Sequence, residues 1–163
     1  DGNVVPANTR GQLLLKGPMI TPGYWNNDKA TEHAFDENGW FQTGDVVIAD
    51  EEEYFFVVDR IKNMYISGGE NVYPAEIERI LIDYPGVEEV VVIAVPHEKW
   101  GEVGHAFVVS ESGKKPLGDQ LKKHCEERLA KFKIPKYFTF LDSLPKNATG
   151  KLDRLELKKM AQE

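Results

Sequence analysis

Residues 57–78, VVDRIKNMYISGGENVYPAEIE, divide the chain in both charge and periodicity. Val57-Val58 reads as strand and breaks at the charged step Asp59-Arg60-Ile61-Lys62. Ser67-Gly68-Gly69 then bends the backbone, since glycine takes up positive φ without the clash a Cβ brings. Pro74 marks a first helical turn, where its missing N–H costs nothing. Glu76 and Glu78 follow it. The glycine pair lies where backbone must turn tightly or come close to a ligand, and the residues alone leave both open.

Outward from this stretch the two halves differ. Residues 1–61 hold 11 acidic and 4 basic side chains, a balance of -7, and residues 62–163 hold 16 of each. An acidic first part argues against a nucleic-acid partner, whose phosphates need a basic face. A small anion gripped by a few placed cations remains compatible with it. No run of eighteen apolar residues exists to span a membrane. The lone Cys125 excludes an internal disulfide framework and a multi-cysteine metal site. It fits a reducing, cytoplasmic setting. The start Asp1-Gly2-Asn3, without methionine or signal pattern, reads as part of a longer polypeptide.

Upstream, Gln12–Lys16 reads as a strand closed by Gly17-Pro18. Asp28 is expected to cap a short helix through Phe35. Val46–Ala49 and Tyr54–Val58 flank the turn Asp50-Glu51-Glu52-Glu53 as a hairpin. This β-rich part carries little apolar mass for its size. Downstream, Ala75–Tyr84 reads as a helix presenting Ile77, Ile80 and Leu81. Val87–Val95 has the composition of a central strand buried on both faces. Pro96–Gly104 reads as a polar connection to a strand His105–Ser110. Leu117, Leu121, Cys125 and Leu129 predict a helix over 117–130. Tyr137–Leu141 is a third strand, Asp142–Gly150 a loop whose stretch Pro145–Lys151 looks mobile, and Asp153–Met160 a closing helix. The fold class is α+β, a small mixed sheet with helices over 61–163, preceded by a β-rich piece over 1–60.

Several residues are placed to carry chemistry. Lys151 ends Pro145-Lys146-Asn147-Ala148-Thr149-Gly150-Lys151, with Gly150 allowing close approach to a ligand. Pro145 stands where a Walker loop needs its first glycine, and Leu152 replaces the Ser/Thr after the lysine. A solvated surface lysine has the same appearance. Asp45, after Thr43-Gly44, is a carboxylate that can accept from two vicinal hydroxyls or simply cap a turn. Arg60 and Lys62, two apart, share a face if the chain is extended, as a cation pair or an exposed polar edge. His97, His105, His124 and Trp100 have no metal-ligand spacing and read as structural. Lys131, Lys133 and Lys136 read as a solvated basic face.

The order of these signals is more specific than any of them singly. Gly11-Gln12-Leu13, Gly23-Tyr24-Trp25, Thr43-Gly44-Asp45, Asp59-Arg60-Ile61-Lys62, Gly68-Gly69 with Pro74-Ala75-Glu76-Ile77-Glu78, and Pro145–Lys151 with Arg154 form one series. That series resembles the C-terminal third of the adenylate-forming superfamily: acyl-CoA synthetases, aryl-CoA ligases, luciferases and peptide-synthetase adenylation domains. The Asp59–Lys62 step is similar to the fatty-acyl and aryl-CoA ligase pattern, which favours CoA over a carrier-protein thiol as acceptor.

The resemblance implies a two-step ligase acting on a small carboxylic acid, in which the acid and ATP give an acyl-adenylate and CoA then displaces AMP. Asp45 and Arg60 would bind the nucleotide, Lys151 would be catalytic in adenylation, and Lys62 would be the hinge between steps. Gly68 and Gly69 would line the pantetheine tunnel. Residues 1–60 would end a large AMP-binding domain, and 61–163 would be the mobile C-terminal domain. The phosphate loop, acyl pocket and Mg2+ ligands would lie in a large N-terminal part outside this sequence, leaving the piece inactive alone. Pro145–Lys151 also fits the pattern acetylated in relatives, which would remove the charge at Lys151. Glu53 departs from the glycine common in that turn, and a bulky residue tolerates positive φ poorly. The other readings are a non-catalytic nucleotide- or partner-binding module, and a luciferase-like or carrier-protein-loading enzyme.

Overall fold

A computed structural model describes residues 2–111 and 116–162. The chain forms two compact units, Asp1–Lys62 and Asn63–Glu163. The architecture is mixed α+β, with four α-helices and two small sheets among the described residues.

The first unit is a three-stranded antiparallel sheet in the order β1 (Arg10–Leu15), β2 (Phe41–Ala49), β3 (Phe55–Arg60). One helix, α1 (Asp28–Ala34), joins β1 to β2. Its cap is Asn27 rather than the expected Asp28: the Asn27 carboxamide oxygen accepts from the Ala30 N–H at 3.0 Å. Both are good capping residues, and the choice falls on the one whose backbone lies outside the helix. The β2–β3 turn closes on Asp50, whose carboxylate accepts from the N–H groups of Glu52 and Tyr54, each at 2.9 Å. Glu53 sits there at φ +65°, so this turn takes a glycine-like conformation with glutamate in place. Burial is thin. Val46, Val47 and Ala34 are the buried apolar residues, while Tyr54, Phe55, Phe56 and Val57 are each about 60% exposed.

In the second unit, β4 (Tyr65–Ser67) and β5 (Glu70–Val72) form a tight hairpin. Helix α2 (Pro74–Ile82), strands β6 (Val87–His97) and β7 (Gly101–Ser110), helix α3 (Gly118–Glu126), strand β8 (Tyr137–Leu141) and helix α4 (Arg154–Met160) follow. The sheet runs β5-β4-β7-β6, with β8 pairing parallel to β7. One face carries Val92, Ala106 and Val108 against Ile77 and Leu81 of α2 and Leu121 and Cys125 of α3. The other carries Val91, Ile93, Phe107 and Val109 against Leu157 of α4 and Leu144. Each fully buried aliphatic side chain contributes roughly 1.5–3 kcal/mol, so these two layers hold the unit together.

Three expectations are corrected here. The β-branched run is an edge strand, β6, and the central strand is β7. Helices cover β6 on both faces, and a sequence pattern reports covered faces, not paired edges. Pro96–Gly104 is not a long connection, since β6 continues to His97 and β7 begins at Gly101. Helix α3 stops at Glu126, leaving Leu129 partly buried beyond it.

Candidate functional site

Asp45 and Arg60 are fifteen residues apart in sequence and face each other in the β2–β3 register. Arg60 Nε donates to Asp45 Oδ1 at 2.7 Å, with the two side chains 54% and 24% exposed. Gly44, at φ +74°, turns the backbone immediately before Asp45. The Asp45 N–H donates to Thr43 Oγ1 at 3.0 Å, and that hydroxyl donates to the Leu13 carbonyl at 2.9 Å. Strand β1 therefore helps hold the carboxylate in place. An ion pair this exposed adds little stability. It does orient a carboxylate and a guanidinium together at the surface, the pairing suited to a ribose and its phosphate.

Lys62 is exposed and is the last residue of the first unit. It lies in a 3-10 turn, Ile61–Asn63, whereas Arg60 ends β3. The extended chain assumed for a shared Arg60–Lys62 face is thus absent. Asp59, which opens the charged step but is given no role of its own by the sequence, is buried, and its Oδ1 accepts from the Arg60 N–H at 2.6 Å.

Gly68 and Gly69 form the β4–β5 turn at φ +60° and +89°, both in the left-handed region that a two-residue hairpin turn demands. Their surroundings differ. A Cβ on Gly68 would lie 2.6 Å from Trp100 Cε3, while one on Gly69 would meet nothing within 4 Å. Trp100, read from sequence as structural, covers the turn, and its carbonyl accepts from the Gly68 N–H at 2.9 Å. No spacing signal reveals that contact, because Trp100 comes from the β6–β7 turn.

Lys151 is exposed. The loop that carries it is not the loose segment expected from its composition. Lys146 and Leu152 pair as an antiparallel bridge, and Asn147 N–H donates to the Lys151 carbonyl at 2.7 Å. Asn147 Oδ1 accepts from Thr149 N–H at 3.0 Å, Thr149 Oγ1 at 2.8 Å and Lys151 N–H at 3.0 Å. Gly150, at φ +77°, has open space on the side a Cβ would occupy. The result is a tight hairpin that presents the Lys151 cation beside the bare backbone of Gly150. An Asn followed two residues later by Thr-Gly is an Asx-turn signature, and it could have shown this order beforehand.

The histidines are held in hydrogen bonds. His105 Nε2 is 2.8 Å from Thr139 Oγ1, and burial lowers its pKa. His124 Nε2 is 3.0 Å from the Ile80 carbonyl. Among the described residues no group of three or more His, Cys, Asp or Glu side chains is placed to hold a metal ion.

Residues 76–151 match the family model of the AMP-binding enzyme C-terminal domain. The chain is 47% identical over 163 residues to the 2-succinylbenzoate–CoA ligase of Bacillus cereus (strain Q1), covering all of this chain and 33% of the relative. It is 46% identical over 152 residues to the long-chain-fatty-acid–CoA ligase FadD13 of Mycobacterium tuberculosis (strain CDC 1551 / Oshkosh), covering 93% of this chain and 30% of the relative. Among solved structures, ATP-bound MatB from Rhodopseudomonas palustris superposes with a TM-score of 0.89 at 38% identity, over 98% of this chain and 32% of that one. The o-succinylbenzoate CoA synthetase MenE from Bacillus subtilis, in complex with its acyl-adenylate intermediate, gives 0.88 at 44% identity, over 97% and 32%. The chain spans about a third of the length of the curated relatives it matches.

Proposed function

We propose that the chain, whose residues 76–151 match the family model of the AMP-binding enzyme C-terminal domain, is the C-terminal third of an AMP-forming acid–thiol ligase. The enzyme activates a small carboxylic acid, of the fatty-acid or aryl-acid class, and hands it to CoA. The carboxylate attacks the α-phosphate of ATP, releasing pyrophosphate and leaving an acyl-adenylate. The CoA thiol then attacks the acyl carbon, and AMP departs.

The hairpin 145–153 carries this reading. It holds the Lys151 cation on a turn ordered by Asn147, beside an open Gly150. In the first step two anions, a carboxylate and a phosphate, must approach each other. A preorganised ammonium there lowers the cost of charge shared between them in the transition state. Asp45 accepts from the ribose hydroxyls, while Arg60 steadies that carboxylate through Nε and offers the rest of its guanidinium to ribose or phosphate. Lys62, at the boundary between the two units, is the hinge about which the C-terminal unit turns between steps. The Gly68-Gly69 turn then lines the pantetheine path, with Gly69 supplying a wall that has no side chain. On this reading the large domain ends at residue 60 and the mobile domain begins at residue 61, beside the hinge.

The exposed Tyr54–Val57 segment supports the view that residues 1–60 complete a larger nucleotide-binding domain. The Mg2+ ligands are assigned to the large N-terminal part of the enzyme. The test uses an enzyme containing this chain as its C-terminal third. Pyrophosphate release should require both carboxylic acid and ATP, and Asp45→Ala should weaken ATP binding. Binding of nucleotide with no pyrophosphate release under any acid would favour a non-catalytic module instead. Product thioester formed on a carrier protein but not on CoA would favour the carrier-loading variant.

A further inference from the structure

Two residues of the motif series, Glu78 and Arg154, have no part in the chemistry above, and the structure brings them together. Strand β6 ends the sheet order, so among the described residues its outer edge has no neighbouring strand. At Val92, in the middle of that edge, two side chains take the place of one. The Val92 N–H donates to Glu78 Oε1 at 2.8 Å, and the Val92 carbonyl accepts from Arg154 Nη1 at 3.0 Å. Arg154 Nη2 lies 3.4 Å from the same Glu78 oxygen, which closes the circuit. Glu78 comes from α2, on one face of the sheet, and Arg154 opens α4, on the other. The pair therefore wraps the sheet edge and joins the two helical layers.

We infer that the Glu78–Arg154 clamp at Val92 is the positioning device for the Lys151 hairpin. Arg154 follows Asp153, and Asp153 is the base of the hairpin. Its N–H donates to the Pro145 carbonyl at 2.8 Å, and its carboxylate caps α4 through Leu155 and Glu156 N–H at 3.1 and 3.0 Å. Apolar contacts from Leu144 and Leu152 press the hairpin onto the sheet, but such contacts have no direction and permit sliding along a strand. Hydrogen bonds to both backbone groups of one residue do not permit it. They set the start of α4, and with it the Lys151 turn, at one fixed place along β6. Half-buried side chains, 32% and 20% exposed, make these charge-assisted bonds more directional than a surface ion pair.

The role assigned to Lys151 in the proposed adenylation is the only part of that reading on which this inference rests. In the whole enzyme, assayed well below the melting temperature of each variant, Arg154→Met should cut adenylation turnover by about 10- to 100-fold, because small displacements of a positioning cation are costly. The KM for ATP and the conversion of supplied acyl-adenylate to thioester should stay close to the parent. Arg154→Lys should recover part of the loss, since an ammonium reaches one partner but not the fork of two. Glu78→Gln keeps an acceptor for Val92 and removes the charge, and should show a smaller loss of the same selectivity. Hydrogen exchange of amides 147–152 should quicken about tenfold in Arg154→Met as the local opening free energy falls, while β8 amides stay unchanged. Equal loss of both half-reactions, or unaltered exchange at 147–152, overturns the clamp. If Lys151→Ala itself leaves adenylation intact, the assignment of Lys151 fails, and the exchange measurement still decides the clamp.

Discussion

Replacing Gly68 and Gly69 by alanine, one at a time, sets two neighbours of one turn against each other. Both occupy positive φ, +60° and +89°, and forcing an L-residue there costs roughly 1–2 kcal/mol. Gly69→Ala incurs that cost alone, since its new methyl would meet nothing within 4 Å. Gly68→Ala adds a collision, with Trp100 Cε3 at 2.6 Å and Cζ3 at 2.8 Å. Moving a half-buried indole aside costs about 1–3 kcal/mol more. The totals are about 2–5 kcal/mol for Gly68→Ala and about 1–2 kcal/mol for Gly69→Ala. Urea unfolding of the chain followed by Trp fluorescence measures both, with the Gly68→Ala midpoint lower by roughly 1–2 M at a typical slope. In the whole enzyme the order should reverse for thioester formation, where the Gly69 methyl stands in the pantetheine path. Equal midpoints would refute the packing argument. A Gly69→Ala enzyme with unaltered CoA turnover would refute the assignment of that wall.

Other outcomes are equally checkable. The 163-residue chain incubated with ATP and a fatty or aryl acid should release no pyrophosphate above background, because the acyl pocket and phosphate loop are assigned elsewhere; a coupled pyrophosphate assay reads this directly. Burial lowers the His105 pKa below its ordinary 6.5, so on acidification the unfolded chain takes up that proton before the folded one does. His105 thus contributes stability that is full above pH 6.5 and is lost as pH falls through its folded pKa. Melting curves from about pH 7 to 5 should show a shallower acid slope in His105→Gln than in the parent, and parallel slopes would contradict it. Burial also pushes the Cys125 thiol up to about 11, so iodoacetamide should label it only on unfolding; rapid labelling of the native chain would contradict its place in the core.

Much of this fold is legible in the residues because local signals agree with tertiary demands. Pro74 starts α2, Asp153 caps α4, and Tyr137–Leu141 emerges with the bounds its composition suggests. What was not legible has physical causes. Three-residue strands such as Tyr65–Ser67 and Glu70–Val72 are too short to show a period of two, so only their glycine turn stands out. The β-branched pattern of Val87–Val95 reports that helices cover both faces, and pairing at its edges is decided by Gly101–Ser110, far along the chain. The polar appearance of Pro96–Gly104 hides a tight turn because Pro96 and His97 still belong to β6 and Gly101–Gly104 already belong to β7.

The site follows the same division. Asp45, Lys151 and the glycines stand out as residue types in suggestive places, but their partners do not. That Arg60 meets Asp45 depends on a bulge between Val46 and Val47 that shifts the register. That Lys151 is held on an ordered turn depends on the Asn147 side chain. That Arg154, 76 residues from Glu78, reaches the Glu78 oxygen that also accepts from Val92 N–H depends on two helices lying across opposite faces of an edge strand.

The central claim is a division of labour, with Lys151 serving one half-reaction and Gly69 the other. The direct measurement follows both half-reactions in the whole enzyme for Lys151→Ala and Gly69→Leu. Lys151→Ala should lose about 100-fold or more in acyl-adenylate formation yet convert supplied acyl-adenylate to acyl-CoA at close to the parent rate. Gly69→Leu should do the opposite. Equal loss of both half-reactions in either variant would contradict the account.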